Sequence, residues 1–104
     1  MKHLILDLKK LKKFSDDKPH KEPLWKGDTS GINLIGLKPG QEIKPHVHKG
    51  DHIWIILEGC GEFLTGGGGS QAVYKGNIAI VPAGEEHGIK NHTNENLVFA
   101  SITA

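Results

Sequence analysis

From Gly31 onward the apolar positions come in short runs, each cut off by Gly, Pro or Asn. The runs occupy residues 32–37, 43–48, 52–57, 61–65, 71–74, 78–81, 87–91 and 97–103. The connectors read KPGQ, HKGD, EGCG, TGGGGS, KGN, PAGEE and NHTNEN, built from the residues that tight turns use. Eight short runs with turns at this spacing predict an all-β sandwich or barrel. No helical pattern separates them, which argues against a parallel α/β sheet. GGGGS at 66–70 has the composition of a flexible linker. It falls between two strand candidates, so it is expected at the tip of a hairpin.

The first thirty residues follow another pattern. Leu4, Leu8 and Leu11 recur at helical spacing with Lys9, Lys10, Lys12 and Lys13 between them, which predicts a short amphipathic helical turn entered from a strand at 3–6. Its lysines are expected to form a solvated face. Residues 15–21 are polar and contain a proline, hence a loop. The chain of 104 residues is then expected to be one domain, with an N-terminal segment at 1–30 and a barrel core at 31–104.

Composition narrows the setting. A single cysteine, Cys60, allows no intramolecular disulfide and suits a reducing compartment. The formal charge of +1 gives no reason to expect nucleic acid as a partner. The apolar run before Asp7 is too short for a signal-peptide core, and no stretch reaches membrane-spanning length. A cytoplasmic chain with no membrane partner is the expectation. Seven histidines and fourteen glycines are the unusual figures: many potential ligands and many turns.

Three of those histidines lie within KPHVHKGDH, at 46, 48 and 52. In a strand, His46 and His48 would share a face about 7 Å apart, a separation that one metal ion can span. His52 would follow at the start of the next strand. If each turn reverses the chain, as in antiparallel sheets, PAGEE turns at the same end and delivers His87 there, while His92 falls at the far end. Cys60 also falls at the far end, beyond a strand spanning roughly 17 Å. His3 and His20 have no partner spacing. A lone surface histidine says little, but this grouping points to a divalent metal held by His46, His48, His52 and His87.

These residues resemble the two motifs of the cupin superfamily. The first, G-x5-H-x-H-x3-4-E-x6-G, reads here as Gly40, His46, His48, His52 in the glutamate place, and Gly59. The second, G-x5-P-x-G-x2-H-x3-N, reads as Gly76, Pro82, Gly84, His87 and Asn91. The resemblance implies an all-β double-stranded β-helix, a small jelly-roll barrel with a metal at its mouth, and commonly a homodimer. The departure is His52. Asp51 is the alternative carboxylate, but His52 keeps both flanking spacings and Asp51 keeps neither, which leaves Asp51 at the rim.

Four neutral imidazoles would leave the ion its full +2 charge, favouring an anionic small molecule as ligand or substrate. Imidazoles suit Fe, Ni, Cu and Zn, and Mn can be loaded by availability. By alternation Trp54 and Ile56 share the face of His52, and Ser101 and Thr103 end near the metal, so these four are the expected pocket. Glu85 and Glu86 flank His87, but no base or nucleophile stands out. Two readings follow. One is a small metalloenzyme, either a dioxygenase-like oxidoreductase or a metal-assisted isomerase or lyase. The other is a non-catalytic sensor or carbohydrate-binding module.

Overall fold

Alternation sets the faces of each strand. In His52–Glu58, His52, Trp54 and Ile56 are buried while Ile53 and Ile55 between them are half-exposed, the signature of a sheet with one face against a core. The computed structural model describes residues 3–104. Its elements are α1 (Leu8–Leu11), β1 (His20–Lys26), β2 (Gly31–Leu37), β3 (Glu42–His46), β4 (His52–Glu58), β5 (Cys60–Thr65), β6 (Ser70–Tyr74), β7 (Ile78–Val81), β8 (His87–Lys90) and β9 (Leu97–Thr103). A single 3-10 turn, Gly66–Gly68, joins β5 to β6, so the glycine run is a hairpin tip, as expected.

The strands form two sheets, ordered β1-β2-β9-β4-β7 and β3-β8-β5-β6, with every pairing antiparallel. Between them lie Ile35, Leu37, Trp54, Ile56, Val73, Ile89, Leu97 and Phe99. This is the double-stranded β-helix implied above. β9 is central in its sheet, and its first five residues are all buried. Leu97 and Phe99 belong to the core cluster, while Ala100 lines a groove on the outer face with Leu4, Leu6 and Leu8. The N-terminal segment therefore covers part of that face.

Two N-terminal expectations change. Residues 3–6 form no strand. The helix begins only at Leu8, where the Asp7 carboxylate accepts from the Lys9 N–H at 3.1 Å, a local N-cap. Residues 15–21 are not all loop either: β1 starts at His20 and pairs with β2 along its length, with a bulge between Pro23 and Trp25. Lys9, Lys10 and Lys13 are exposed, as expected of a solvated face. Lys12 instead reaches Glu58 at 2.9 Å and ties the helix to β4. Among the described residues, no helix is long and apolar enough to cross a membrane.

Candidate metal centre

The antiparallel register of β3 and β8 sets His46 directly across from His87. Between Ile43 and His46 the register shifts, and the bulged strand presses onto β8 at Gly88. A Cβ there would lie 2.5 Å from the Ile43 carbonyl oxygen, so glycine is what lets the two histidine-bearing strands approach this closely. His87 itself follows a turn at 82–85 closed by Glu85 N–H to Pro82 O at 3.1 Å. Gly84 has φ +83° there, the conformation a type II turn requires at its third position.

His48 arrives by a different route from the one alternation suggests. β3 ends at His46, and His48 sits in the loop beyond it. Two bonds hold that loop against the 82–85 turn. The His48 carbonyl accepts from Gly84 N–H at 3.0 Å, and the Asp51 carboxylate accepts from Ala83 N–H at 2.8 Å. Asp51 is exposed and belongs to the rim. Its task is to fasten the histidine loop to the histidine turn. His52 opens β4, flanked in register by Val81 and Thr103.

The four imidazoles converge. One nitrogen from each of His46, His48 and His87 lies within 4.8 Å of the others. His52 stands beside this triangle, its ring stacked on His48 at 4.0 Å between centroids and 5.1 Å from His87. Hydrogen bonds set the tautomers. His46 Nδ1–H donates to the Lys44 carbonyl at 2.9 Å and His87 Nδ1–H to the Glu85 carbonyl at 3.1 Å, which leaves each Nε2 as a free lone pair. His87 Nε2 and His52 Nδ1 are buried without a hydrogen-bond partner. Buried polar atoms are rarely left so. Neutral imidazoles converging with unpartnered nitrogens fit a bound divalent transition metal.

Burial disfavours the charged forms of His48, His52 and His87. Burial pushes the His52 pKa down to about 4, helped by His48, His87 and His46. Burial likewise lowers His48, with added repulsion from His46, His87 and Lys21. It lowers His87 despite the opposing bond to the Glu85 carbonyl. The sign of the linkage follows. Between pH 6.5 and about 4 the unfolded chain takes up a proton at His52 that the folded chain refuses, so stability is lost as pH falls. The metal-free protein is expected to show a falling Tm across that window by circular dichroism, with a smaller fall in His52→Gln. Equal falls in the two proteins would contradict a neutral buried His52.

Beside the imidazoles lies a cavity of about 260 Å³, lined by His46, His48, His52, Trp54, Ser101 and Thr103 together with Lys21, Asn33, Ile35 and Ile43. Trp54 Nε1–H donates to Ser101 Oγ at 3.0 Å, and the indole packs edge-on to His87 at 5.1 Å. Three of the four expected pocket residues are therefore at the cavity. Ile56 is not: it is 2 % exposed and belongs to the core beneath, opposite Phe99 in register. Lys21 and Asn33 were not anticipated, since Lys21 fell in an expected loop. A strand reading of HKEPLWK would have placed it.

The remaining candidates fall outside. Cys60 starts β5 opposite Tyr74, at the far end of the sheet from Thr65 and His87. His92 is exposed beyond β8. His20 pairs with Glu22 at 2.9 Å, and His3 lines the outer apolar groove. Glu85 and Glu86 are exposed, and only the Glu85 backbone carbonyl takes part.

Comparison with known proteins agrees with this picture. A family model described as "Cupin domain" matches residues 33–103. The protein TT1209 from Thermus thermophilus is 33 % identical with a TM-score of 0.89, over 96 % of this chain and 95 % of the other. A conserved protein with a double-stranded β-helix domain from Klebsiella pneumoniae is 29 % identical with a TM-score of 0.93, over 99 % and 90 %. A cupin superfamily protein from Desulfitobacterium hafniense, at 19 % identity and a TM-score of 0.82 over 99 % and 92 %, shares the fold. None of the curated proteins matches the chain.

Proposed function

We propose, from the premise that this chain belongs to the cupin family, that it is a small metalloenzyme acting on an anionic small molecule. His46, His48 and His87 would hold one divalent transition metal, with His52 as fourth ligand. The observation that carries this reading is the position of the imidazoles. Three of them, His46, His48 and His52, line a cavity shared with Trp54, Ser101 and Thr103. A structural site is closed, whereas a catalytic one keeps a side open to substrate. A metal there supplies Lewis acidity and, if it is Fe, Mn, Ni or Cu rather than Zn, one-electron chemistry.

The protein's own part is positioning. Among the described residues no carboxylate lines the cavity, so the groups that can hold a proton there are the imidazoles, the Lys21 ammonium and the Ser101 and Thr103 hydroxyls. Trp54 walls the cavity, with its indole nitrogen already committed to Ser101. This suits a dioxygenase-like oxidation, or a metal-assisted isomerisation or elimination, better than hydrolysis by a protein nucleophile. The reading includes a homodimer. Ile78 and Ile80, 56 % and 69 % exposed on the edge strand β7, are apolar surface that a second copy would cover.

Oxygen uptake tests the catalytic claim. The Fe, Mn, Cu and Ni forms are presented with diketones, thiols and phenols, including carboxylate-bearing members of each class. Saturable uptake is expected in at least one form and is lost in His48→Ala. Silence of every form on every substrate would overturn the dioxygenase-like reading and leave the isomerase or lyase and the non-catalytic binding module.

A further inference from the structure

The cavity that His46, His48 and His52 line also carries a cation, the exposed Lys21. In β1, Lys21 pairs with Ile35, a core residue, and cross-strand partners share a face. Its side chain accordingly lines the cavity. Among the described residues the ion pairs are Lys12–Glu58, Lys13–Glu22, His20–Glu22 and Lys38–Asp16, and none engages Lys21. Its neighbour Glu22 is turned to the other face, held by His20 and Lys13. Lys21 is exposed and solvated, and among the described residues no carboxylate lines the cavity, so an anion entering this space would meet a cation that no ion pair already engages.

Hydrogen-bond donors stand around the same space. Ser101 is 4 % exposed, and its oxygen already accepts from Trp54 Nε1, so its own O–H is free to donate. Asn33, opposite Ser101 in the β2–β9 register, lines the cavity too. Ile35, Ile43 and Trp54 supply the apolar remainder. The space of about 260 Å³ has room for one compact molecule.

We infer that Lys21 is the anion-recognition residue of this cavity, receiving the carboxylate of a compact, partly apolar monoanion whose other end faces the histidines. This rests on the proposed function for its claim that the cavity takes substrate. It adds that the charge selecting an anion is built into β1 and does not depend on the metal. Lys21 binds and orients; it performs no step of the reaction.

The test separates the two claims. Benzoate and its neutral isostere benzamide are titrated into the metal-free and the nickel-loaded protein. Binding is followed by the ¹H–¹⁵N shifts of Asn33 and Ser101, in wild type, Lys21→Met and Lys21→Arg. The metal-free wild type is expected to prefer benzoate by about tenfold, the scale of one charge-assisted hydrogen bond. Lys21→Met should lose about that factor on benzoate and nothing on benzamide, and Lys21→Arg should keep the preference. An unchanged benzoate affinity in Lys21→Met would overturn the assignment, as would a preference present only with nickel bound. The latter result would leave the metal reading standing. Absence of saturable benzoate binding in wild type would contradict the inference as well.

Discussion

Alanine at position 87 is expected to weaken nickel binding by more than about a hundredfold, beyond what losing an outer-shell partner of a metal ligand usually costs. His87 is 1 % exposed, its Nδ1–H is tied to the Glu85 carbonyl, and its Nε2 has no partner. It thus offers a pre-oriented lone pair that loses no rotamer freedom on binding. It also faces His46 across the β3–β8 register, so its removal leaves the nitrogens of His46 and His48 without their third partner. The measurement is calorimetric titration of nickel into wild type, His87→Ala and His92→Ala. The last should match wild type, because His92 is exposed beyond the far end of β8. Equal affinities in all three proteins would remove His87 from the site.

Phe99→Ala carries the largest expected cost in stability. Phe99 is fully buried at the centre of the core, with its ring 4.6 Å from Trp54. Truncating a buried Phe costs about 3–5 kcal/mol, against a total of roughly 5–15 kcal/mol for a domain. At about 4–8 °C per kcal/mol for a chain of this size, Tm should fall by tens of degrees. Urea unfolding of the metal-free protein measures it. The consequence reaches the site, because Trp54 rests on Phe99 while donating to Ser101. A loss below about 1 kcal/mol would mean that the barrel floor is not packed as described.

Much of this was legible in the residues, for reasons that can be stated. The eight expected strands correspond to β2 through β9 because each is a short apolar run bounded by turn residues. His87 could be found by tracking strand direction, since every pairing is antiparallel. β1 escaped because HKEPLWK alternates poorly: it is an edge strand with a proline and a bulge, where charged residues are tolerated and even useful. That one miss concealed Lys21, the only cation at the cavity among the described residues.

Two finer points lay beyond alternation. Period two places Ile56 on the same face as His52 and Trp54 but says nothing of depth, and Phe99 fills the barrel beneath Trp54. The same period put His48 on a strand that in fact ends at His46, and the loop is aimed by Asp51 and Gly84 instead. The departure at position 52 had the clearest physical consequence. A buried imidazole there stays neutral, where a carboxylate would bring a negative charge into the cluster.

The central claim is that these imidazoles hold one metal ion, and metal content tests it most directly. Protein purified without added metal, together with its His48→Ala and His87→Ala variants, is analysed for bound transition metals by mass spectrometry. The account predicts close to one equivalent of a single divalent ion in wild type and almost none in either variant. The same trace level in all three would contradict it.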